Sequence, residues 1–254
     1  MPEGKVGTII ADGVANISFF HQQSNSLPGT LLMKLAEEIE RVGKDNTAKV
    51  IVLKSEGEKT FCAGASFDEL IAIKDFEAGK KFFSGFAAVI NAMRKAPKFI
   101  IVRVQGKAVG GGVGVAASGD YTFATEAAQA KLSELNVGIG PFVVGPAVER
   151  KMGTSAFAQM SINAGEWMSA WWAKEKGLYA DVFPTIEAMD KAVADLAGKL
   201  AKSSPEAMAQ LKKVFWEGTE NWDKLLIERA EMSGKLILSD FSKNFIENFK
   251  KGAR

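Results

Sequence analysis

Cysteine and histidine are almost absent from this chain, and their scarcity excludes several kinds of chemistry. The 254 residues include one of each, Cys62 and His21. No internal disulfide can form, and one thiol with one imidazole does not make a metal centre, so we expect no metal. Hydrolases with a Ser-His-Asp or Cys-His arrangement are disfavoured, because His21 would have to be the base. We interpret His21 as an ordinary loop residue and Cys62 as a packed one.

Long apolar runs and an excess of one charge are also missing. No apolar stretch approaches the roughly 18 residues that cross a bilayer, and the N-terminus lacks the basic and apolar regions of a signal peptide. The 32 basic and 30 acidic residues give a net charge of +2, which leaves no broad electrostatic footprint for nucleic acid. We therefore expect a cytoplasmic protein that binds neither nucleic acid nor membrane.

The first half of the chain contains strand and helix patterns in alternation. The continuous apolar run at 50–53, and the run at 99–104 that is interrupted only by Arg103, are typical of strands buried on both faces. Apolar residues at helical spacing predict a helix over 28–42, and Asp12-Gly13 predicts a hairpin turn between two strands. Such alternation is typical of an α/β fold.

Beyond about residue 145 the pattern is almost entirely helical. We predict helices over 146–151, 155–162, 169–176, 186–200, 205–215 and 222–238. The change in character near 195–205 divides the chain into a core, 1–195, and a C-terminal helical region, 196–254. The last predicted helix has a larger apolar face than an isolated appendage needs. We expect this face to pack on another subunit, with packing on the chain's own core as the alternative.

Two glycine-containing loops, 61–66 and 106–112, each follow a predicted strand and lead into a helix. Such turns leave backbone N–H groups without partners. Two turns that face one point would offer two amides to one oxygen, as in an oxyanion hole, although either loop alone is also compatible with a plain tight turn. The spacing of Gly112, Gly114 and Ala117 matches a dinucleotide fingerprint, but it does not follow the first strand of such a unit.

Four segments, in order, resemble the enoyl-CoA hydratase/isomerase family, the crotonases. Residues 61–70 read Phe-Cys-Ala-Gly-Ala-Ser-Phe-Asp-Glu-Leu and resemble the family's F-C-A-G-A-D-x-x-E-L, while 106–114 resemble G-x-A-x-G-G-G-x-E. Residues 131–138 resemble F-x-x-P-E-x-x-L-G, and 164–178 resemble T-G-x-x-x-S-A-x-x-A-x-x-x-G-L. With Asn25-Ser26-Leu27 and the helical tail, the likeness extends over nearly the whole chain.

The resemblance implies a crotonase-like spiral of β-β-α units with a C-terminal helical trimerisation region, and therefore a homotrimer or hexamer. It implies an acyl-CoA thioester substrate, with coenzyme A as part of the substrate and no separate cofactor. It places the oxyanion-hole amides on Ala65 and Gly111 and the catalytic carboxylate on Glu134. The substrate-binding residues that it suggests are Ser24, Asn25, Ser26, Ala63, Gly64, Gly110, Gly114 and Phe142.

One position departs from the pattern of the family's hydratases, which use two glutamates. The first of these falls on Gly114 here, and the second is retained as Glu134. The chain also lacks the Gly-Gly-Thr that follows the proline in many hydratases. Adding water needs a base for the water and an acid for C2, whereas one glutamate suffices to move a proton between two carbons of an enolate. The sequence therefore favours double-bond isomerisation.

Two alternatives stay open at this point. An enoyl-CoA hydratase, for example of the methylglutaconyl type, would need a second acid-base group, for which Asp68, Glu69 and Glu149 are the candidates. A non-catalytic acyl-CoA-binding subunit belongs to a different class, and the presence of Glu134 favours chemistry over it.

Overall fold

The chain folds into two β-sheets covered by helices in the computed structural model, which describes residues 4–252 and the side chains of residues 4–248. The strands are β1 (Lys5–Ala11), β2 (Val14–Phe20), β3 (Val50–Ser55), β4 (Thr60–Cys62), β5 (Ile100–Val104), β6 (Lys107–Val109), β7 (Tyr121–Thr125), β8 (Ala130–Lys131) and β9 (Asp181–Phe183). The helices are α1 (Gly29–Lys44), α2 (Phe67–Ala72), α3 (Phe76–Lys95), α4 (Gly111–Ala117), α5 (Gly145–Ile162), α6 (Ala170–Glu175), α7 (Ile186–Leu200), α8 (Pro205–Phe215), α9 (Trp222–Leu236) and α10 (Asp240–Gly252). A 3-10 turn spans Glu134–Val137.

The larger sheet has six strands in the order β1-β2-β3-β5-β7-β9. The predicted hairpin is confirmed: β1 and β2 are antiparallel, and Asp12 and Gly13 both have positive φ angles, 50° and 80°, as a two-residue hairpin turn requires. The remaining pairings are parallel. Side chains of β3 alternate between two cores: Ile51 and Leu53 face the larger one, while Val52 faces a smaller one beneath α7. Burial on both faces explains the continuous apolar run.

The smaller sheet positions the candidate site. Its strands, β4, β6 and β8, are parallel to one another, in the order β4-β6-β8. Because parallel strands end at the same edge of a sheet, the three segments that follow them are brought together there. Those segments are the ends of the two glycine loops, 63–66 and 110–112, and the turn that carries Glu134, while the earlier residues of the loops form part of β4 and all of β6. The three strands are only two or three residues long, and the sequence pattern did not predict them.

The C-terminal helices pack largely on their own chain. Helix α9 crosses α3 with the backbones in contact: a Cβ placed on Gly234 would lie 2.6 Å from the Lys80 nitrogen, and one on Gly79 would lie 2.9 Å from the Gly234 Cα. Leu226 and Ile237 are buried in the larger core. The expectation that this apolar face packs on another subunit is therefore wrong for its buried part. The division at residue 195 remains a prediction, and that residue lies inside α7.

Two further observations concern the helices. The predicted break between 151 and 155 is confirmed, because Gly153 has a φ of 78° and interrupts α5. Within residues 4–252, none of the helices combines the length and the apolar character needed to span a membrane.

Candidate active site

A cavity of about 110 Å³ lies at the edge where the strands of the smaller sheet end. The two glycine loops, the Glu134 turn, the segment 139–144 and helices α2, α3 and α9 contribute to its wall. Most of the side chains that line it are apolar: Phe67, Leu70, Phe83, Phe86, Val109, Val137, Ile139, Pro141, Phe142, Val143 and Val144. An apolar wall that carries a few polar groups is the usual composition of a small-molecule site.

The two glycine loops touch each other at this cavity. Gly64 has a φ of 84°, and a Cβ placed on it would lie 2.8 Å from the Val109 carbonyl oxygen and 3.5 Å from the Gly111 nitrogen. A side chain at residue 64 would therefore be strained and would separate the loops. Glycine at this position allows Ala65 and Gly111, to which the resemblance assigns the oxyanion hole, to line the same cavity.

Within residues 4–252, the backbone N–H groups of Ala65 and Gly111 have no hydrogen-bond partner. Gly111 is the first residue of α4, so its N–H precedes the intrahelical ladder. Around Ala65, the Leu27 N–H donates to the Gly64 carbonyl and the Ser66 N–H donates to the Leu27 carbonyl, which leaves the Ala65 N–H unused. Neither amide donates a hydrogen bond to any part of the chain that the structure describes. Two free donors at one cavity are what an oxyanion hole requires.

The Glu134 side chain enters the cavity from the start of the 3-10 turn. A Cβ placed on Gly110 would lie 2.7 Å from Oε1, so the carboxylate packs against the second glycine loop. The residue as a whole is half-buried, but Oε2 is fully buried and has no hydrogen-bond partner. Burial raises the pKa of Glu134 to about 7, although the nearby backbone N–H groups of Glu134 and Ser133 act in the opposite direction.

The raised pKa predicts a pH-dependent effect on stability. The ordinary value is 4.5, so between pH 4.5 and 7 the folded chain holds a proton that the unfolded chain has released. This contribution to stability is complete below pH 4.5 and is lost as the pH rises through 7. We expect Glu134→Gln, which cannot ionise, to be more stable than the parent protein at pH 8 by about 1–3 kcal/mol. Urea unfolding at pH 8 and pH 4 tests this, and an equal difference at both pH values would contradict it.

The loop 21–26 braces the first glycine loop, and its residues lie outside the cavity wall. The Asn25 Nδ2 donates to the carbonyls of Glu56 and Thr60, both at 2.9 Å. The Ser26 hydroxyl lies 3.0 Å from His21 Nδ1, and the Ala63 N–H donates to the Ser24 carbonyl. These contacts give His21 a structural setting within its loop. A coenzyme A path along Ser24, Asn25 and Ser26 stays a prediction.

The thiol of Cys62 is packed, as expected. Its side chain is fully buried, and burial raises the pKa of the thiol to about 12. A thiol that stays protonated at neutral pH is not a nucleophile.

Gly114, where the family's hydratases carry a glutamate, does not reach the cavity. Val144 lies between: a Cβ placed on Gly114 would lie 2.4 Å from the Val144 Cγ1 and 2.6 Å from its Cβ. Val144 itself lines the cavity. An apolar side chain therefore occupies the space into which a side chain at residue 114 would extend.

The three carboxylates considered as replacements lie elsewhere. Asp68 accepts a hydrogen bond from the Gln23 Nε2 at 2.7 Å, Glu69 accepts one from the Gly29 N–H at 2.6 Å, and Glu149 accepts one from the Thr154 hydroxyl at 2.6 Å. None of the three lines the cavity. Among the described residues that do, Glu134 carries the only carboxylate.

Comparison with known proteins identifies the family. The model of the family described as "Enoyl-CoA hydratase/isomerase" matches residues 10–252. The chain belongs to the enoyl-CoA hydratase/isomerase family. One relative, 2,3-dehydroadipyl-CoA hydratase of Escherichia coli (strain K12), is 32% identical to this chain over 205 residues, which cover 77% of this chain and 75% of that protein. Mitochondrial methylglutaconyl-CoA hydratase of Rattus norvegicus is 30% identical over 200 residues, covering 77% and 63% of the two chains.

The fold of this family member is the crotonase fold. The crystal structure of enoyl-CoA hydratase from Bacillus halodurans superposes with a TM-score of 0.88 at 18% identity, covering 96% of this chain and 99% of that one. The family is one of acyl-CoA enzymes, which disfavours the non-catalytic alternative.

Several residues that line the cavity were not identified from the sequence. The absence of Gly-Gly-Thr after the proline pointed in part to Val144, whereas no sequence pattern pointed to Phe86 or Ser233.

Proposed function

We propose that this enzyme moves the double bond of an enoyl-CoA thioester by one position. The Glu134 carboxylate removes a proton from C2 of a 3-enoyl-CoA. Negative charge develops on the thioester oxygen, which accepts hydrogen bonds from the amides of Ala65 and Gly111. Glu134 then returns the same proton to C4, and the 2-enoyl-CoA results.

The observation that carries this proposal concerns one cavity. It contains the buried carboxylate of Glu134, one oxygen of which has no hydrogen-bond partner, together with the backbone N–H groups of Ala65 and Gly111, which donate no hydrogen bond within the described residues. A pKa of about 7 suits a group that must act first as a base and then as an acid near neutral pH. Among the described residues that line the cavity, whose wall includes Val144 and Phe86, there is no second titratable group to activate water.

The test uses the unmodified enzyme with 3-enoyl-CoA thioesters of several chain lengths. We expect conjugation to appear as ultraviolet absorbance of the 2-enoyl thioester, with no change in the mass of the product. A product heavier by one water molecule, formed as fast as the conjugated thioester, would contradict the proposal.

Hydration is the second candidate function, and the names of the relatives favour it, since both described above are hydratases. Against it, a hydratase of the two-glutamate kind would need a partner for Glu134. The carboxylates considered for that role are held by Gln23, Gly29 and Thr154. The assay just described distinguishes the two functions directly.

We also propose a homotrimer, or a hexamer of two trimers, since closed symmetry is the rule for homo-oligomers. Because the buried face of α9 is already covered by α3, the contact surface is expected elsewhere. Helix α8 exposes Leu211, Val214 and Phe215, by 46%, 55% and 48%, at the spacing of one helical face. Light scattering is expected to return three or six times the protomer mass of 27.3 kDa; a monomer at micromolar concentration would contradict this.

A further inference from the structure

Ser233 places a polar hydroxyl group in a cavity wall that is otherwise mostly apolar. The residue lies on α9, is only 2% exposed and lines the cavity. Its side chain makes no hydrogen bond to any other residue within the described part of the chain, although its carbonyl accepts the ordinary helical bond from Ile237. Among the described residues, the fully buried side-chain oxygens without a partner are on Thr8, Gln105 and Glu134. The unpaired Ser233 oxygen is not one of them, so it is open to the cavity, where a bound ligand can pair with it.

The position of Ser233 is fixed by its neighbour. Gly234 and Gly79 bring the backbones of α9 and α3 into direct contact, and a Cβ on either residue would lie under 3 Å from the other helix. Helix α3 also contributes Phe83 and Phe86 to the cavity wall. The hydroxyl is thus held on the α3–α9 side of the cavity by a rigid helix crossing.

The polar side chains of the cavity fall into two groups. Ser133 and Glu134 are adjacent on one segment, and the carboxylate packs against Gly110 in the second glycine loop. Ser233 comes from a helix about 100 residues later and shares its part of the wall with phenylalanines. We infer that Ser233 is a specificity-determining residue, which recognises an uncharged oxygen atom on the acyl group of the substrate, away from the thioester.

The cavity wall also restricts the charge of that acyl group. Among the described residues that line it, there is no lysine, arginine or histidine, and Glu134 is the only charged side chain. A carboxylate on the acyl group would be buried without a cation, which is costly. A hydroxyl or ketone oxygen, by contrast, can exchange a single hydrogen bond with Ser233. Recognition by one buried polar group discriminates strongly, because an analogue that lacks the oxygen leaves the protein group unpaired.

The inference rests on the proposed acyl-CoA site and is tested separately from the reaction by measuring binding. The probes are pairs of 3-enoyl-CoA thioesters whose acyl chains have the same number of non-hydrogen atoms and differ only at the end, which is either a methyl or a hydroxyl group. One such pair is hex-3-enoyl-CoA and 5-hydroxypent-3-enoyl-CoA, and longer and shorter pairs complete the series. Calorimetry on the Glu134→Gln variant gives the affinity of each thioester without turnover.

At the chain length that reaches Ser233, we expect the hydroxyl thioester to bind about tenfold more tightly than its methyl isostere. Adding Ser233→Ala should remove this preference, and Ser233→Thr, which keeps the hydroxyl, should retain part of it. Equal binding of both thioesters at every length, or a preference that survives Ser233→Ala, would overturn the role of Ser233 while leaving the proposed reaction intact. Failure of all the thioesters to bind would overturn the proposed function as well.

Discussion

The Glu134→Gln variant is expected to lose isomerase activity by a factor of about 10²–10⁴, the usual contribution of a positioned acid-base group. Glutamine keeps the shape of the side chain, so its packing against Gly110 is preserved. Its amide cannot take up a proton from C2 or return one to C4. Rates with 3-enoyl-CoA give the loss in kcat, and calorimetry with the same thioester should show binding largely unchanged.

Glu149→Gln is the matched control for this variant. It makes the same chemical change at an exposed carboxylate that is bonded to Thr154 and lies outside the cavity. Its activity should stay close to that of the parent enzyme. If the unmodified protein hydrates enoyl-CoA efficiently and Glu134→Gln continues to do so, both the catalytic residue and the reaction have been assigned wrongly.

The pH dependence of the reaction should reflect the same carboxylate. The base must be ionised to accept a proton, so kcat/KM is expected to fall as the pH drops below about 7. The stability change described above runs in the other direction, because the ionised and buried carboxylate destabilises the fold. Activity and stability therefore favour opposite protonation states of one residue, as is common at active sites.

The long helices and strands could be predicted from the sequence because each is longer than one repeat of its own pattern, about 3.6 residues for a helix and two for a strand. The strand at 50–55 and the helix at 29–44 bury enough apolar residues to reveal their type. The strands β4 and β8 have three residues and two, too few to show any alternation. The sequence did not locate either strand: β4 overlaps the start of the glycine loop 61–66, and β8 lies just before the turn that carries Glu134.

The inner surface of the site depends on contacts between distant segments, which no local pattern encodes. Ser233 reaches the cavity because Gly234 permits a close crossing with Gly79, more than 150 residues earlier in the chain. The isolation of Glu134 depends likewise on which carboxylates are held elsewhere by hydrogen bonds. Motif positions identified Glu134, Ala65 and Gly111 as neighbours, whereas the burial that raises the pKa of Glu134 required the fold.

Restoring a second carboxylate is expected to add a hydration activity, but only in a double variant. Gly114 lies inside α4 and has no positive φ, so its backbone accepts glutamate. The obstacle is Val144, whose Cγ1 and Cβ would lie 2.4 and 2.6 Å from the new Cβ. Since the Val144 Cβ itself is too close, Val144→Gly is the substitution that makes room. With both changes, a glutamate at residue 114 can extend toward the cavity and share a water molecule with Glu134.

We expect Gly114→Glu/Val144→Gly to convert 2-enoyl-CoA to the hydrated thioester, measured as loss of conjugation together with the added mass of water. Gly114→Glu alone should be destabilised by overpacking, by about 1–3 kcal/mol, and inactive in hydration. Val144→Gly alone opens the space without supplying an acid, so it is the matched control and should not hydrate. The added activity should require both carboxylates and disappear on Glu134→Gln. A folded double variant that binds the thioester and still isomerises, but adds no water, would show that something other than the residue at position 114 determines which reaction this enzyme performs.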